Sequence, residues 1–147
     1  MLIGEATAEE IKKSIGCVFP RPETIAIEVK GRCLMTGLPR VVSISSTDTL
    51  EAFEEVTERI IESTHKILES TPPELVADIS QNGIILTGGG SLLWGFDKLI
   101  ANRTSINTLT ADDADLCVAN GLAKALNRVG DMTEGAINLA RHKQMRA

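Results

Sequence analysis

A glycine-rich turn is the stretch of this sequence whose residue types are best suited to holding a ligand. The run from Ile84 to Leu86 is short, apolar and β-branched, as in a buried strand. Gly88, Gly89 and Gly90 follow it, and an apolar stretch typical of a helix comes next. Because glycine has no Cβ and tolerates positive φ, such a turn can place its N–H groups against a bound group. From its residues alone, the turn is either a structural connection or a ligand-binding turn.

This turn differs from two common phosphate-binding motifs. No Gly-Lys-Ser or Gly-Lys-Thr follows the glycines, so the turn is not a P-loop. The spacing of the glycines is also not that of the dinucleotide-binding fingerprint. Any ligand at this turn must therefore be recognised in another way.

A second candidate for chemistry is the pair formed by Glu9 and Lys12 near the start of the sequence. Thr7, with Glu10 three residues later, matches a capping box and predicts a helix that runs to about Ile15. Because Glu9 and Lys12 are three residues apart, they share one face of that helix. They are either an ordinary solvated ion pair or a polar pair that reaches for a ligand.

The other reactive residue types form no recognisable catalytic or metal-binding motif. The three cysteines are odd in number, widely separated and without a Cys-x-x-Cys pair, which favours a reduced, cytoplasmic compartment. His65 and His142 are far apart, and each lacks a metal-ligand partner nearby in sequence. Ser63 and Lys66 mimic a Ser-x-x-Lys pair, but the two further motifs of that nucleophile are missing.

Length and charge exclude several classes of protein. The 147 residues are about the size of one domain, and the net charge of −5 argues against a general nucleic-acid binder. The chain has one tryptophan and no tyrosine, which leaves little for base stacking on single-stranded nucleic acid. We also predict no transmembrane segment and no signal peptide.

Around the two candidates, the apolar periodicity predicts an antiparallel hairpin followed by helices and short strands. Gly31 is a candidate bulge in the first strand of the hairpin. The predicted elements are strands near 25–30 and 41–45 with a turn at 36–39, a helix over 49–70 capped by 46–48, a helix over 73–82, a helix from Ser91 or Phe96 to Asn102, a weak strand at 106–109, and a helix after Asp113.

Four segments also agree with one known family, both in their residue types and in their order along the chain. They are Ile3–Lys12, Val29–Arg32 with Thr36–Pro39, Thr71–Ile79, and Leu86–Gly90. Together they closely resemble the C-terminal half of the MreB/Mbl family of bacterial actin-like cell-shape proteins. The resemblance covers about residues 2–126, and four ordered motifs make it far more specific than any single one.

The resemblance implies an α/β fold with an α+β insertion, namely domain II of the actin-like ATPase or ribonuclease H-like fold. Residues 7–78 would form a small inserted subdomain of helices and a β-hairpin. Residues 79–129 would form the C-terminal part of the actin-like nucleotide-binding subdomain. Residues 130–147 would be a tail, which the resemblance does not explain.

The resemblance further implies that ATP or ADP binds with its adenosine between the two candidate segments. The implied nucleotide-binding residues are Glu9, Glu10, Ile11, Lys12, Gly88, Gly89, Gly90, Ser91 and Leu92. The phosphate-binding loops and the Mg²⁺-binding residues are expected in segments before Met1. Since phosphoryl transfer depends on those groups, we expect no hydrolysis of ATP by this chain alone and assign it no catalytic or metal-binding residue.

In function, the resemblance implies ATP-dependent filaments that determine cell shape. The implied partners are further copies of the protein and the proteins of cell-wall synthesis, in the cytoplasm or at the inner face of the cell membrane. Two alternatives remain at this point. One is a structural interaction module that binds no nucleotide, and the other is a piece of another kinase with the actin fold.

Overall fold

Helices and two small sheets make up this chain. The structure is a computed structural model and describes residues 1–127. The elements are α1 (Glu5–Ile15), β1 (Ala26–Arg32), β2 (Pro39–Ser45), α2 (Ser46–Ser70), α3 (Pro73–Asn82), β3 (Ile84–Leu86), a 3-10 helix (Gly89–Leu92), α4 (Phe96–Thr104), β4 (Thr108–Thr110) and α5 (Cys117–Asn127). None of the helices within these residues is long and apolar enough to cross a membrane.

The hairpin of β1 and β2 is antiparallel, as predicted, and its register is continuous from Ala26↔Ser45 to Arg32↔Pro39. The predicted bulge at Gly31 is wrong, because Gly31 pairs directly with Arg40. Gly31 instead makes room for the segment before α1. A Cβ at this position would lie 2.6 Å from the carbonyl oxygen of Leu2, whose backbone pairs with Arg32.

A small hydrophobic core lies between α1 and the hairpin. Its buried members are Ile11 and Ile15 of α1 and Val29 of β1. Ile15 is 1% exposed and is one of the largest fully buried side chains. Burial of one aliphatic side chain contributes about 1.5–3 kcal/mol, so these contacts fix the rotation of α1 about its axis.

The start of α1 differs from the predicted one. The helix begins at Glu5, its N-cap is Gly4, and no side chain caps it. The predicted capping box of Thr7 and Glu10 is therefore wrong. The predicted end at about Ile15 is confirmed, where the Gly16 N–H donates to the carbonyl oxygen of Lys12.

The long helix α2 begins at Ser46, three residues before the predicted start. Its N-cap is Ser45, which forms a capping box with Asp48. The Asp48 N–H donates to Ser45 Oγ at 3.4 Å, and Asp48 Oδ2 accepts from the Ser45 N–H at 2.8 Å. Two orphan N–H groups at the helix start are satisfied in this way.

The second sheet is the parallel pair of β3 and β4, with Ile84 opposite Thr108 and Leu86 opposite Thr110. The glycine turn follows the carboxyl end of β3, and α4 returns the chain to β4. In α/β proteins, ligands bind beyond the carboxyl ends of parallel strands. The topology therefore places the glycine turn at the edge of the sheet where a ligand is expected.

The predicted subdomain boundaries at 7–78 and 79–129 stay a prediction. The predicted tail of residues 130–147 lies outside the described residues. An ion pair between Glu58 of α2 and Arg103 of α4 joins the two predicted subdomains.

Candidate functional site

The loop after α1 lies against the segment that follows the glycine turn. Cys17 and Trp94 form an isolated parallel bridge, and the Val18 N–H donates to the carbonyl oxygen of Trp94 at 3.0 Å. Gly16 permits this approach, since a Cβ there would collide with the carbonyl oxygen of Lys12 and come within 3.0 Å of the Leu93 side chain. The two candidate segments, far apart in sequence, are thus neighbours.

A cleft of about 540 Å³ lies between these segments. This volume is within the range of small-molecule sites. Three of the predicted nucleotide-binding residues line it together: Lys12 from α1, and Gly89 and Leu92 from the turn. The full lining consists of Lys12, Lys13, Gly16, Arg21, Gly89, Leu92, Leu93, Trp94 and Asp115.

The glycine turn is held from one side and open on the other. Gly88 has a φ of 87°, which favours glycine, and its N–H donates to the carbonyl oxygen of Ala114 at 2.6 Å. The buried Ser91 hydroxyl donates to the carbonyl oxygen of Gly88 at 2.7 Å. A Cβ at Gly89 or Gly90 would meet no atom within 4 Å. The backbone at these two glycines is therefore accessible to a ligand.

On α1, Glu9 and Lys12 do not pair with each other. Glu9 Oε1 lies 2.8 Å from Nζ of Lys13, and both side chains are largely exposed. The hydrogen bond from Lys13, together with its charge, holds the pKa of Glu9 below its usual value. The solvated ion pair thus forms between Glu9 and Lys13, and the alternative that Glu9 and Lys12 reach for a ligand stays a prediction. Lys12 lines the cleft, and it also lines a groove between α1 and α2 together with Glu9.

Other predicted site residues of α1 lie away from this cleft. Ile11 belongs to the hydrophobic core. Glu10 is exposed and lines a groove beside β1 together with Thr7 and Lys30. Glu9 lines a groove of about 440 Å³ between α1 and α2. Their contact with a nucleotide stays a prediction, whereas Lys12, Gly89 and Leu92 share one cleft.

The sequence reasoning missed six of the nine residues that line the cleft, among them Arg21 and Trp94. Arg21 Cζ lies 4.9 Å from the centroid of the Trp94 ring, and Nζ of Lys98 lies 4.5 Å from it. Both distances are within the range of cation–π attraction. The only signal in the sequence was that Trp94 is the single tryptophan of the chain. Nothing in the sequence pattern brings Arg21, in the proline-rich break after α1, to this ring.

One thiol outside the cleft, that of Cys33, has a lowered pKa. Hydrogen bonds from the hydroxyl and the backbone of Thr36 lower the pKa of Cys33 to about 7. Cys33 is in the turn of the hairpin and does not line the cleft. Among the described residues, no group of three or more His, Cys, Asp or Glu side chains could hold a metal ion.

A family model described as "MreB/Mbl protein" matches residues 1–134. The chain belongs to the MreB/Mbl family. The predicted membership is thereby confirmed. The chain is similar to the cell shape-determining protein MreB of Escherichia coli (strain K12), with 46% identity over 134 residues. That match covers 91% of this chain and 38% of the relative, so the chain spans about two fifths of the relative's length.

Solved structures of the actin fold agree with this MreB/Mbl assignment. MreB5 of Spiroplasma citri bound to AMPPNP superposes with a TM-score of 0.80 at 33% identity, over 86% of this chain and 39% of that one. The ADP-bound form of MreB5 gives a TM-score of 0.75 at 35% identity, over 89% and 41%. The MamK double helical filament gives 0.65 at 26% identity, over 84% and 38%. The predicted actin-like α/β fold is therefore confirmed.

Proposed function

We propose that this chain is the C-terminal, nucleotide-binding half of a bacterial actin-like protein whose ATP-dependent filaments determine cell shape. The observation that carries the proposal is the cleft shared by Lys12, Gly89 and Leu92. It joins the two segments that the family resemblance assigns to the adenosine. The ADP-bound and AMPPNP-bound forms of MreB5 support adenine nucleotide as the ligand class.

Each wall of the cleft has its own task in this proposal. The open backbone at Gly89 lets the ribose approach closely, because no side chain lies between them. The Lys12 ammonium donates to acceptors on the ribose or the base. Leu92 is 58% exposed and supplies apolar surface for the base. These residues bind and orient the nucleoside, and they take part in no bond-breaking step.

The contacts to the phosphates and to Mg²⁺ belong, in this proposal, to the part of the family that the chain does not span. Hydrolysis of ATP requires positioned phosphates, a metal ion and an oriented water molecule. We therefore propose nucleotide binding, and not ATPase activity, for these residues by themselves.

Self-association into filaments is proposed for the complete protein. MamK, a structural relative, is solved as a double helical filament, which supports this mode of assembly. Proteins of cell-wall synthesis are the further partners we propose, and the location we propose is the cytoplasm, including the inner face of the cell membrane.

Calorimetric titration of ADP into the chain tests nucleotide binding. We expect weak but saturable binding, because only the base and ribose side of the site is present. Gly89→Val should abolish it, since the added side chain fills the open approach. Gly4→Val is the matched control, because Gly4 also has open space at its Cβ position but does not line the cleft. No saturable heat with the unaltered chain at millimolar ADP would overturn the proposed nucleotide binding.

Filament formation is tested after the chain is joined to the phosphate-binding part of E. coli MreB. We expect this protein to pellet in ATP and to remain in the supernatant without nucleotide. Pelleting that does not depend on nucleotide would favour the structural interaction module over the ATP-dependent filament.

A further inference from the structure

Trp94 lines the cleft, in a position that is fixed by its backbone. Its carbonyl oxygen accepts the hydrogen bond from Val18, next to Cys17. Cys17 is 1% exposed, and its N–H donates to Thr49 Oγ1 at 3.2 Å. The backbone of Trp94 is therefore anchored to the loop after α1, which is itself anchored to α2.

The indole ring is restrained as well as the backbone. Arg21 and Lys98, which come from different segments, both place their cationic groups over the ring. Arg21 Nε is buried and has no hydrogen-bond partner among the described residues. The guanidinium lies over the ring, and Nη2 also makes a long contact of 3.5 Å to the carbonyl oxygen of Gly16. A tryptophan restrained in this way is a preorganised aromatic wall.

This wall continues the apolar surface of the glycine turn. Leu92, Leu93 and Trp94 are consecutive, and all three line the cleft opposite Lys12. Trp94 is half-buried, so part of its surface remains available to a ligand. Aromatic side chains bind planar heteroaromatic bases through stacking and edge contacts, and they do so without a fixed hydrogen-bond pattern.

We infer that Trp94 contacts the heteroaromatic base of the bound nucleotide, and that Arg21 and Lys98 are positioning residues that hold its indole in place. The inference rests on the nucleotide-binding function proposed above and adds to it the residue that recognises the base. Lys12 and the glycine turn then hold the sugar side, while the base lies toward Trp94.

The fluorescence of the unaltered chain gives the first test. The chain has one tryptophan and no tyrosine, so its emission comes from Trp94. We expect ADP and adenosine to change this emission saturably, with the same midpoint as the calorimetric titration. Ribose 5-phosphate, which has no base, should leave it unchanged. An equal change with ribose 5-phosphate would overturn the contact between Trp94 and the base.

Substitution of the ring gives the second test. Trp94→Leu should weaken ADP binding roughly tenfold, as expected for loss of one base–aromatic contact. Trp94→Phe keeps an aromatic face and should lose less. Circular dichroism verifies that both variants are folded, and the fluorescence test does not depend on either variant.

Arg21→Met tests the positioning role. It should increase quenching of Trp94 by acrylamide in the absence of nucleotide and weaken ADP binding a few-fold, because the ring is no longer restrained. Arg21→Lys should restore part of both effects. Lys66→Met removes an exposed cation of α2 and serves as the matched control. If quenching in Arg21→Met equals that of the control, the positioning role is wrong.

The experiments distinguish a wrong role for Trp94 from a wrong proposal of nucleotide binding. If ADP binds by calorimetry but neither changes the emission nor binds less tightly to Trp94→Leu, the role of Trp94 is wrong and nucleotide binding stands. If ADP does not bind to the unaltered chain, nucleotide binding itself is wrong, and the role of Trp94 falls with it.

Discussion

The two walls of the cleft are built in opposite ways. On the α1 side, Ile11 and Ile15 are buried in the core and thereby orient Lys12, so a side chain forms this wall. On the turn side, Gly89 presents its backbone to the cleft, because it has no side chain. The comparison teaches that the first wall depends on core packing, whereas the second depends on the absence of a Cβ. The two walls should therefore respond to different substitutions.

The largest loss of stability is expected from a substitution in the core that packs against the α1 wall. Ile15→Ala should lower the free energy of unfolding by about 2–5 kcal/mol, because Ile15 is fully buried and its truncation leaves a cavity in the core. Urea denaturation measures this loss. Ile60→Ala is the control, since Ile60 is 41% exposed on α2 and should cost far less. Equal losses in the two variants would mean that α1 is not oriented by the core.

A smaller loss of stability is expected for substitutions in the glycine turn. Its size should depend on the φ angle of the glycine and not on the space around its Cβ position. Gly88→Ala should lower the free energy of unfolding by about 1–2 kcal/mol, because an alanine is strained at a φ of 87°. Gly90→Ala should leave stability nearly unchanged, since its Cβ would enter open space. The same urea denaturation compares the two, and a larger loss for Gly90→Ala would contradict this account of the turn.

The third effect concerns the start of α2, which supports the α1 wall through Thr49 and Cys17. Ser45→Ala removes the N-cap and should cost about 1 kcal/mol in free energy of unfolding. Ser63→Ala, in the exposed middle of α2, is the control and should cost much less. Thermal unfolding of both variants measures the difference. Similar values would show that the capping box contributes little.

The smallest expected effect is a change of stability with pH, and it arises at the same capping box. Hydrogen bonds from the backbone and the hydroxyl of Ser45 hold the pKa of Asp48 below its usual value. A lowered pKa means that Asp48 contributes stability above its unfolded pKa and loses it as the pH falls through its folded pKa. The stability difference between the unaltered chain and Asp48→Asn should therefore shrink from neutral to strongly acidic pH. A difference that stays constant over this range would contradict the assignment.

Much of the fold follows from local patterns in the sequence. The hairpin was predicted from period-two alternation, and α3 from its flanking proline and Gly83. The error at Gly31 arose because a residue distant in sequence decided the outcome. Gly31 is a glycine because Leu2 approaches it, and a pattern of neighbouring residues cannot show that contact.

The candidate site was predicted only in part for a similar reason. The sequence indicated both walls, but it left open an ion pair of Glu9 with Lys12, because three-residue and four-residue spacings are equally allowed on a helix. The structure pairs Glu9 with Lys13 and leaves Lys12 on the cleft. Arg21 and Trp94 were missed because a contact between segments far apart in the chain brings them together.

By itself, the sequence determined the family, the two candidate segments and most of the elements, since these depend on residue type and short-range spacing. Only the tertiary structure decided which of the predicted residues share a cleft. The decision depends on how α1 is rotated by its core contacts, and on the close approach of Gly16 and Cys17 to the segment from Leu93 to Trp94. Both are contacts between residues far apart in the chain, and local propensity carries no information about them.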